Sequence, residues 1–563
     1  MNINDLILNG YENTRLLTAD ELLRDGYNTV EYDKLGETSV TGVLKANRYA
    51  DGKLVQTYSD NEHHVGVIAA TRQGKTSSYV IPTIVSFAKQ KTKRSMIIAD
   101  PKGELYRSTS QTLRDEGYEV LLINLRDYKH SECWNPLTEI YRKYRRAIDL
   151  PDEVRAVQTA DGFKNIFFDK VYEDQRELDG NISYESRMLL DEVDNDITNL
   201  AETVAPTRDT VPDPYWDTSA RNATRGFLWA MLEDSDPNKR DNRITEETFS
   251  FNTLLNIKSS FGNIASDGDF MDYGYFTDRN SDTSRAYQLV KSPLLDNAGR
   301  TRGCIVANLD ASLSLFYNAA IRTVTSCNSF DMSILTGERP VAVYIDFRDE
   351  LKTHYQFISM FVQAAYAYLI EYANKKQSGK LDVPFYFILD EFGNFPKILN
   401  FDTVISACGG RNIYFILVLQ SYAQLRNIYQ SDVADIIRDN LNVHVFFGSN
   451  NPSTLDEFSK ECGKRARISP RSALCGTEPE IVDYNVDEVS VMPVSTLAAL
   501  KPSECIVTEI NSGYVLSSRL ERYFTCAEFK DLPIANERDY VCRTNPFDDK
   551  YRYVMKRSYR RRF

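Results

Sequence analysis

No C-x-x-C spacing occurs anywhere in the 563 residues, and the nine cysteines, at positions 133, 304, 327, 408, 462, 475, 505, 526 and 542, are odd in number and scattered. That arrangement supports neither a disulfide framework nor a zinc site. Histidine is scarce as well: of five, only His63 and His64 are adjacent, and with no carboxylate motif beside them to complete a metal site they read as loop residues. No stretch reaches the roughly 18 uncharged apolar residues that a membrane-spanning helix needs. The nearest, "FISMFVQAAYAYLI" at 357–370, reads as a buried helix. The opening "MNINDLILNGYENTRLL" lacks the charged start, apolar stretch and small-residue cleavage site of a secretory signal. Together these absences point to a reduced cytosolic chain, in which the sequons at Asn181 and Asn222 carry no sugar. Fixed-period repeats and low-complexity tracts are also missing.

Positive charge is in deficit. Lys and Arg number 67 against 80 Asp and Glu, for a net charge of -13 and a pI near 5.2. This excludes a protein coated in basic surface for wrapping nucleic acid, while leaving room for a local basic channel. The exception is the last fourteen residues, "KYRYVMKRSYRRRF", with seven Lys or Arg and no acid. A solvated tail and a contact with nucleic acid or an anionic surface both fit that composition.

Seven short apolar runs are present: "VGVIA" (65–69), "SMIIAD" (95–100), "EVLLIN" (119–124), "VAVYIDF" (341–347), "FYFILD" (385–390), "IYFILVL" (413–419) and "VHVFFG" (443–448). They are mostly continuous rather than alternating, which marks strands covered on both faces, as in a parallel sheet between helices. Helix-compatible segments separate several of them, so the class is α/β. Between about 145 and 325 the character changes to long, acidic, helix-compatible stretches such as "SYESRMLLDEVDNDITNLAETVA", which reads as an inserted, mostly helical domain. A chain this long is expected to hold two or three domains. The expected division is an N-terminal segment (1–64), a first part of an ATPase domain (65–145), an all-α insert (146–325), a second ATPase part (326–530) and a basic tail (531–563).

Gly74-Lys75-Thr76 follows the first run. As a bare tripeptide it means little, so its context decides. A phosphate-binding loop (P-loop) needs a buried strand, backbone N–H groups that curl round the anion, a lysine for the terminal phosphates, a hydroxyl for Mg²⁺ and a helix N-terminus beyond. "VGVIA" supplies the strand, Thr71, Arg72, Gln73, Gly74, Lys75, Thr76 and Ser77 the cradle, and "TSSYVIPTIVSFAKQ" the helix. Two departures are visible. Ala69 stands where the pattern has its first glycine, which is tolerable only at negative φ, and Pro82 should kink the helix or end it early.

"VPFYFILDEFGNFPKI" places Asp390 and Glu391 at the mouth of a buried strand. If that strand neighbours the loop strand, Asp390 holds Mg²⁺ with Thr76, and Glu391 orients and deprotonates the attacking water of ATP hydrolysis. Gln420, at the end of "IYFILVL", is placed to sense the γ-phosphate. Arg411, just before that strand, is either a finger for a neighbouring subunit or a plain surface ion pair.

The ordered set "IIADPKGELY", "GYEVLLINLRD" with "CWNPL", "DPYWDTSARN", "ILDEFGNFP", "RNIYFILVLQSYAQL" and "SRLERYF" resembles the blocks of the type IV coupling proteins of conjugation and type IV secretion, over about residues 60–530. The resemblance implies a RecA-like P-loop domain with a mostly parallel sheet and an inserted all-α domain, using ATP and Mg²⁺. It implies a homo-hexamer when active, with a monomer in isolation left open, that moves single-stranded DNA with its relaxase, or effector proteins, toward membrane-embedded channel components. On matching positions Lys75 and Thr76 would bind phosphates and metal, Asp390 and Glu391 would be the metal and water carboxylates, Gln420 would relay the nucleotide state and Arg411 would be the finger. Asp100 and Glu104 would sit near the nucleotide with no assigned role. Family members usually begin with transmembrane helices; none is expected here, so a cytoplasmic chain recruited to the inner face of the membrane is implied. Two other functions fit the residues: a nucleotide-switched substrate receptor with little motor activity, and a double-stranded DNA pump of the segregation or packaging type.

Overall fold

The computed structural model describes residues 14–554, apart from 25–26, 150–155, 160–161, 166–169, 173–174, 207–213, 238, 240, 261–273, 298 and 476–477. They form two compact units, Met1–Arg126 with Met332–Tyr540, and Asp127–Asp331 with Val541–Phe563. The expected N-terminal segment thus falls within the first unit, and the end of the basic tail, 555–563, lies outside the described residues.

The first unit is built on a ten-stranded sheet. Its strands are β1 (Arg15–Thr18), β2 (Val65–Ala69), β3 (Ser95–Asp100), β4 (Glu119–Asn124), β5 (Val341–Asp346), β6 (Phe385–Leu389), β7 (Ile413–Leu419), β8 (Val443–Gly448), β9 (Glu504–Glu509) and β10 (Tyr514–Arg519). Across the sheet they lie in the order β1-β10-β9-β8-β2-β7-β6-β3-β5-β4. Only β9 is antiparallel to its neighbours; the rest share one direction. All seven apolar runs become strands, within a residue of their expected ends. β2, β5, β6 and β8 are buried along their whole length, as continuous apolar runs require when helices cover both faces.

"FISMFVQAAYAYLI" lies inside the helix Lys352–Lys375, which buries Phe357, Ile358, Phe361, Val362, Ala365 and Leu369 against the unit. Among the described residues no helix is long and apolar enough to cross a membrane. A three-stranded antiparallel sheet, Thr29–Glu31, Lys53–Tyr58 and Leu44–Ala50, packs into the same core. It is tied there by buried Lys45, whose Nζ donates to Glu509 at 2.6 Å and to Tyr514 Oη at 2.7 Å. His64 is a loop residue, as expected, but a buried one. Its Nδ1 accepts from Phe415 N at 3.0 Å, and burial pushes its pKa down to about 3, so the ring is neutral.

The second unit is mostly helical, with Thr138–Asp149, Gln175–Val204, Tyr215–Glu233, Phe251–Ser260 and Gly299–Ser312 as its longer helices. Three short antiparallel strands, Ala156–Thr159, Gly162–Asn165 and Lys170–Tyr172, are an addition to the all-helical expectation. Helix Tyr215–Glu233 carries the "WDTSARN" stretch. It is fixed through Asp194, which accepts from Trp229 Nε1 at 2.9 Å and Arg225 Nη2 at 3.1 Å. Phe251 and Phe316 stack at 3.8 Å in the same core.

Candidate functional site

β2 ends at Ala69, which is buried and absent from the positive-φ residues, so alanine fits where the pattern has its first glycine. The chain then turns through exposed Thr71 and Arg72. Arg72, at φ 69°, and Gly74, at φ 93°, are both left-handed. Gly74 favours glycine through its φ, and a Cβ there would also make a tight contact, 3.1 Å from Ser78 Oγ.

Lys75–Val80 forms a wide π-type turn in which Ile81 N reaches back to Thr76 O. A regular α-helix, Ile81–Lys89, then starts with Pro82 in its first turn. Pro82 therefore neither kinks nor shortens that helix. The missing N–H is absorbed where the i→i−4 ladder has already widened, and the proline sits where helices tolerate it.

Lys75 is buried, with Nζ 2.6 Å from Glu391 Oε1 and 3.9 Å from Asp390 Oδ1. Thr76 Oγ1 donates to Asp390 Oδ2 at 3.1 Å. Asp390 Oδ1 accepts Glu391 N at 2.9 Å. Burial, against the pull of Lys75, raises the Asp390 pKa above the usual carboxylate range. Glu391 is itself left-handed at φ 54°, an uncommon state for a non-glycine residue.

The condition that β6 neighbour β2 is not met: β7 lies between them. The carboxylates still reach the loop because they follow the end of β6 on the same sheet edge. The intervening strand delivers Gln420 into the gap, where its Nε2 donates to Glu391 Oε2 at 3.2 Å and its Oε1 accepts from Thr71 Oγ1 at 3.4 Å. One amide thus bridges the loop and the second acid.

Two contributors went unnoticed in the sequence. Gln424 accepts Gln420 N at 2.9 Å, and a Cβ on Gly393 would come within 2.3 Å of its Oε1, so Gly393 permits the approach. Ser78 Oγ is buried beside Gly74 without a hydrogen-bond partner. Both lie in stretches already quoted, but their spacing alone carries no signal.

Arg411 is not brought to this cluster. It precedes β7, so the seven-residue strand separates it from Gln420 by roughly 20 Å. There its Nε donates to Asn374 Oδ1 at 3.1 Å and its Nη1 to Ala407 O at 3.0 Å.

Asp100 and Glu104 belong to a second cluster on the same edge. Asp100, fully buried, accepts Tyr106 N at 2.8 Å and Lys102 N at 3.4 Å, which fixes the start of helix Glu104–Asp115. Beside it Asp346 accepts Arg126 Nε at 2.7 Å. Burial pushes the Asp346 pKa up to about 6 and raises that of Asp100 as well.

Comparison with known proteins agrees with this architecture. The protein VirD4 of Rhizobium radiobacter is 22% identical over 506 residues, covering 87% of this chain and 62% of that protein, so the chain spans about three fifths of its relative. Among solved structures, the bacterial conjugative coupling protein TrwBdeltaN70 in an unbound form aligns with a TM-score of 0.59 at 15% identity, over 90% of this chain and 92% of that one. TrwB in complex with ADP and Mg²⁺ aligns with a TM-score of 0.57 at 14% identity, over 91% and 94%. At such identities the likeness establishes the fold, which is that of a RecA-like α/β domain joined to a helical one. With residues 15–472 matching the family described as Type IV secretory system Conjugative DNA transfer, the chain belongs to that family.

Proposed function

We propose that this chain is an ATP-hydrolysing coupling protein, which recruits and translocates single-stranded DNA with its relaxase, or protein substrates, to a type IV secretion channel. The observation that carries the reading is one convergence: Lys75 and Thr76, from the loop after β2, meet Asp390 and Glu391, from the end of β6.

The residues fit Mg-ATP on their own chemistry. The seat has a left-handed glycine whose Cβ would fill it, a buried hydroxyl without a partner at Ser78, a buried ammonium, and a carboxylate bonded to a threonine hydroxyl. Thr76 and Asp390 would hold Mg²⁺, which when bound neutralises charge on the phosphate oxygens. Binding metal requires Asp390 to be ionised, and the cation would offset the burial that now favours its neutral form. Thr71, Arg72, Gln73, Gly74 and Ser77 would complete the cradle, with backbone N–H groups turned to the anion.

Lys75 would exchange its pairing with Glu391 for the terminal phosphates. Glu391, so released, would orient and deprotonate the attacking water, and Gln420 would report the exchange by trading its contact between Glu391 and Thr71. Arg411, remote from its own chain's carboxylates, would act only on a neighbouring subunit, in a hexamer at the inner face of the membrane. In such a ring the pore would grip the strand by its backbone charge.

The test is the ATP hydrolysis rate across protein concentration, with and without single-stranded DNA. Turnover rising with both is expected; flat, negligible turnover transfers the role to a nucleotide-switched receptor.

A further inference from the structure

The chain returns to the phosphate loop from its far end. β10 runs in the same direction as β2, so residues that follow it emerge on the edge where the loop lies. Ligands of open α/β sheets gather on that edge. Leu520 is buried, and two residues later the carbonyl of Arg522 accepts from Thr525 N at 2.9 Å and Thr525 Oγ1 at 2.7 Å. These bonds fix the 3₁₀ turn Tyr523–Thr525, which packs against the wide turn Lys75–Val80.

The Arg522 side chain lies over the loop's essential glycine. A Cβ on Gly74 would meet Ser78 Oγ at 3.1 Å, Ser77 Oγ at 3.5 Å and Arg522 Nε at 3.6 Å. Its neighbour Arg519 has taken the adjacent acid, pairing with Glu521 at 2.6 Å. Among the described residues Arg522 has no carboxylate partner, and its guanidinium instead sits 6.0 Å from the ring of Phe524, which is 51% exposed. A free guanidinium is thus held against a loop shaped for an anion, in a chain with acids to spare.

We propose that Arg522 is a phosphate-binding residue of the nucleotide site, supplied by the same chain from beyond the last strand of the sheet. The inference rests on the nucleotide-binding reading above and adds to it a fork of donors suited to phosphate oxygens. Because Arg522 lies beside Gly74, whereas Lys75 and Gln420 both reach Glu391, the contact falls on phosphates that di- and triphosphates share. It therefore sets affinity for ADP and ATP alike.

The test is titration of the full chain with fluorescent N-methylanthraniloyl ADP and ATP in Mg²⁺, comparing wild type, R522A, R522K and K75A, each first checked by thermal melting. R522A is expected to weaken both nucleotides about tenfold or more at an unchanged melting temperature, as loss of a charge-assisted hydrogen bond implies. R522K should recover only part, because an ammonium replaces the fork. Unaltered affinity in R522A while K75A loses binding would overturn the proposal and leave the site intact. Loss confined to ATP would overturn the placement on the shared phosphates. Undiminished binding by K75A would overturn the nucleotide seat itself, and the role of Arg522 with it.

Discussion

Neighbouring strands of one sheet end in two carboxylate clusters with opposite characters. After β6, Asp390 and Glu391 are bonded to groups that a ligand could replace: an ammonium, a hydroxyl and a side-chain amide. After β3 and β5, Asp100 is taken up by two backbone N–H groups and Asp346 by a guanidinium that also donates to Pro101 O. Acid at the mouth of a buried strand is common to both. The difference lies in what opposes it: a glycine-hinged loop with exposed residues in one case, a helix start and a fixed arginine in the other. On the proposed function, exchangeable partners make the first cluster a site of chemistry, whereas fixed partners make the second a structural lock.

Substitutions should separate the two clusters. The largest effect is expected from Lys75→Ala, which should lower ATP turnover per folded molecule by about 10² to 10³, the loss typical of one preorganised charge-stabilising group. Arg126→Leu should act on stability alone. It strands buried Asp346, costing about 3 kcal/mol of stability in denaturant unfolding with little change in turnover per folded molecule. If Arg126→Leu abolished turnover in a stably folded chain, the second cluster would be chemical after all. Gly74→Ala forces a left-handed alanine against Ser78 and should cost about 1–3 kcal/mol, with weakened nucleotide binding.

The smallest effect concerns pH. His64 is neutral when folded, with its pKa pushed down to about 3, below the unfolded value. The unfolded chain therefore binds the extra proton, and the stability His64 contributes is complete above about pH 6.5 and lost as pH falls toward 3. At pH 5 the loss should be about 2 kcal/mol. His64→Gln should flatten the stability profile between pH 7 and 5 relative to wild type, as followed by urea unfolding.

Much of this was legible in the sequence because burial on both faces writes itself as continuous apolar runs: all seven became strands of the sheet. β1, β9 and β10 were missed since "RLLT", "ECIVTE" and "YVLSSR" are short or polar-interrupted, belonging to a sheet's far side where one strand reverses. Lys75, Thr76, Asp390, Glu391 and Gln420 were singled out by residue type and position, and the structure gathers them into one cluster. What the sequence could not state was strand order. The position of β7 between loop and acids, the distance of Arg411 from both, and the approach of Arg522 to Gly74 all depend on long-range pairing that no local pattern encodes. Pro82 misled for a related reason, because a wide turn ahead of a proline has no compositional mark.

The most direct trial of the first cluster is Glu391→Gln, which keeps the side chain's size but removes the proposed base. Phosphate release and nucleotide affinity should be measured together in Mg-ATP. Retained binding with turnover reduced by about 10² to 10⁴ is the expected result. Wild-type turnover in that variant would contradict the assignment of water activation to Glu391 and, with it, the contrast between the two clusters.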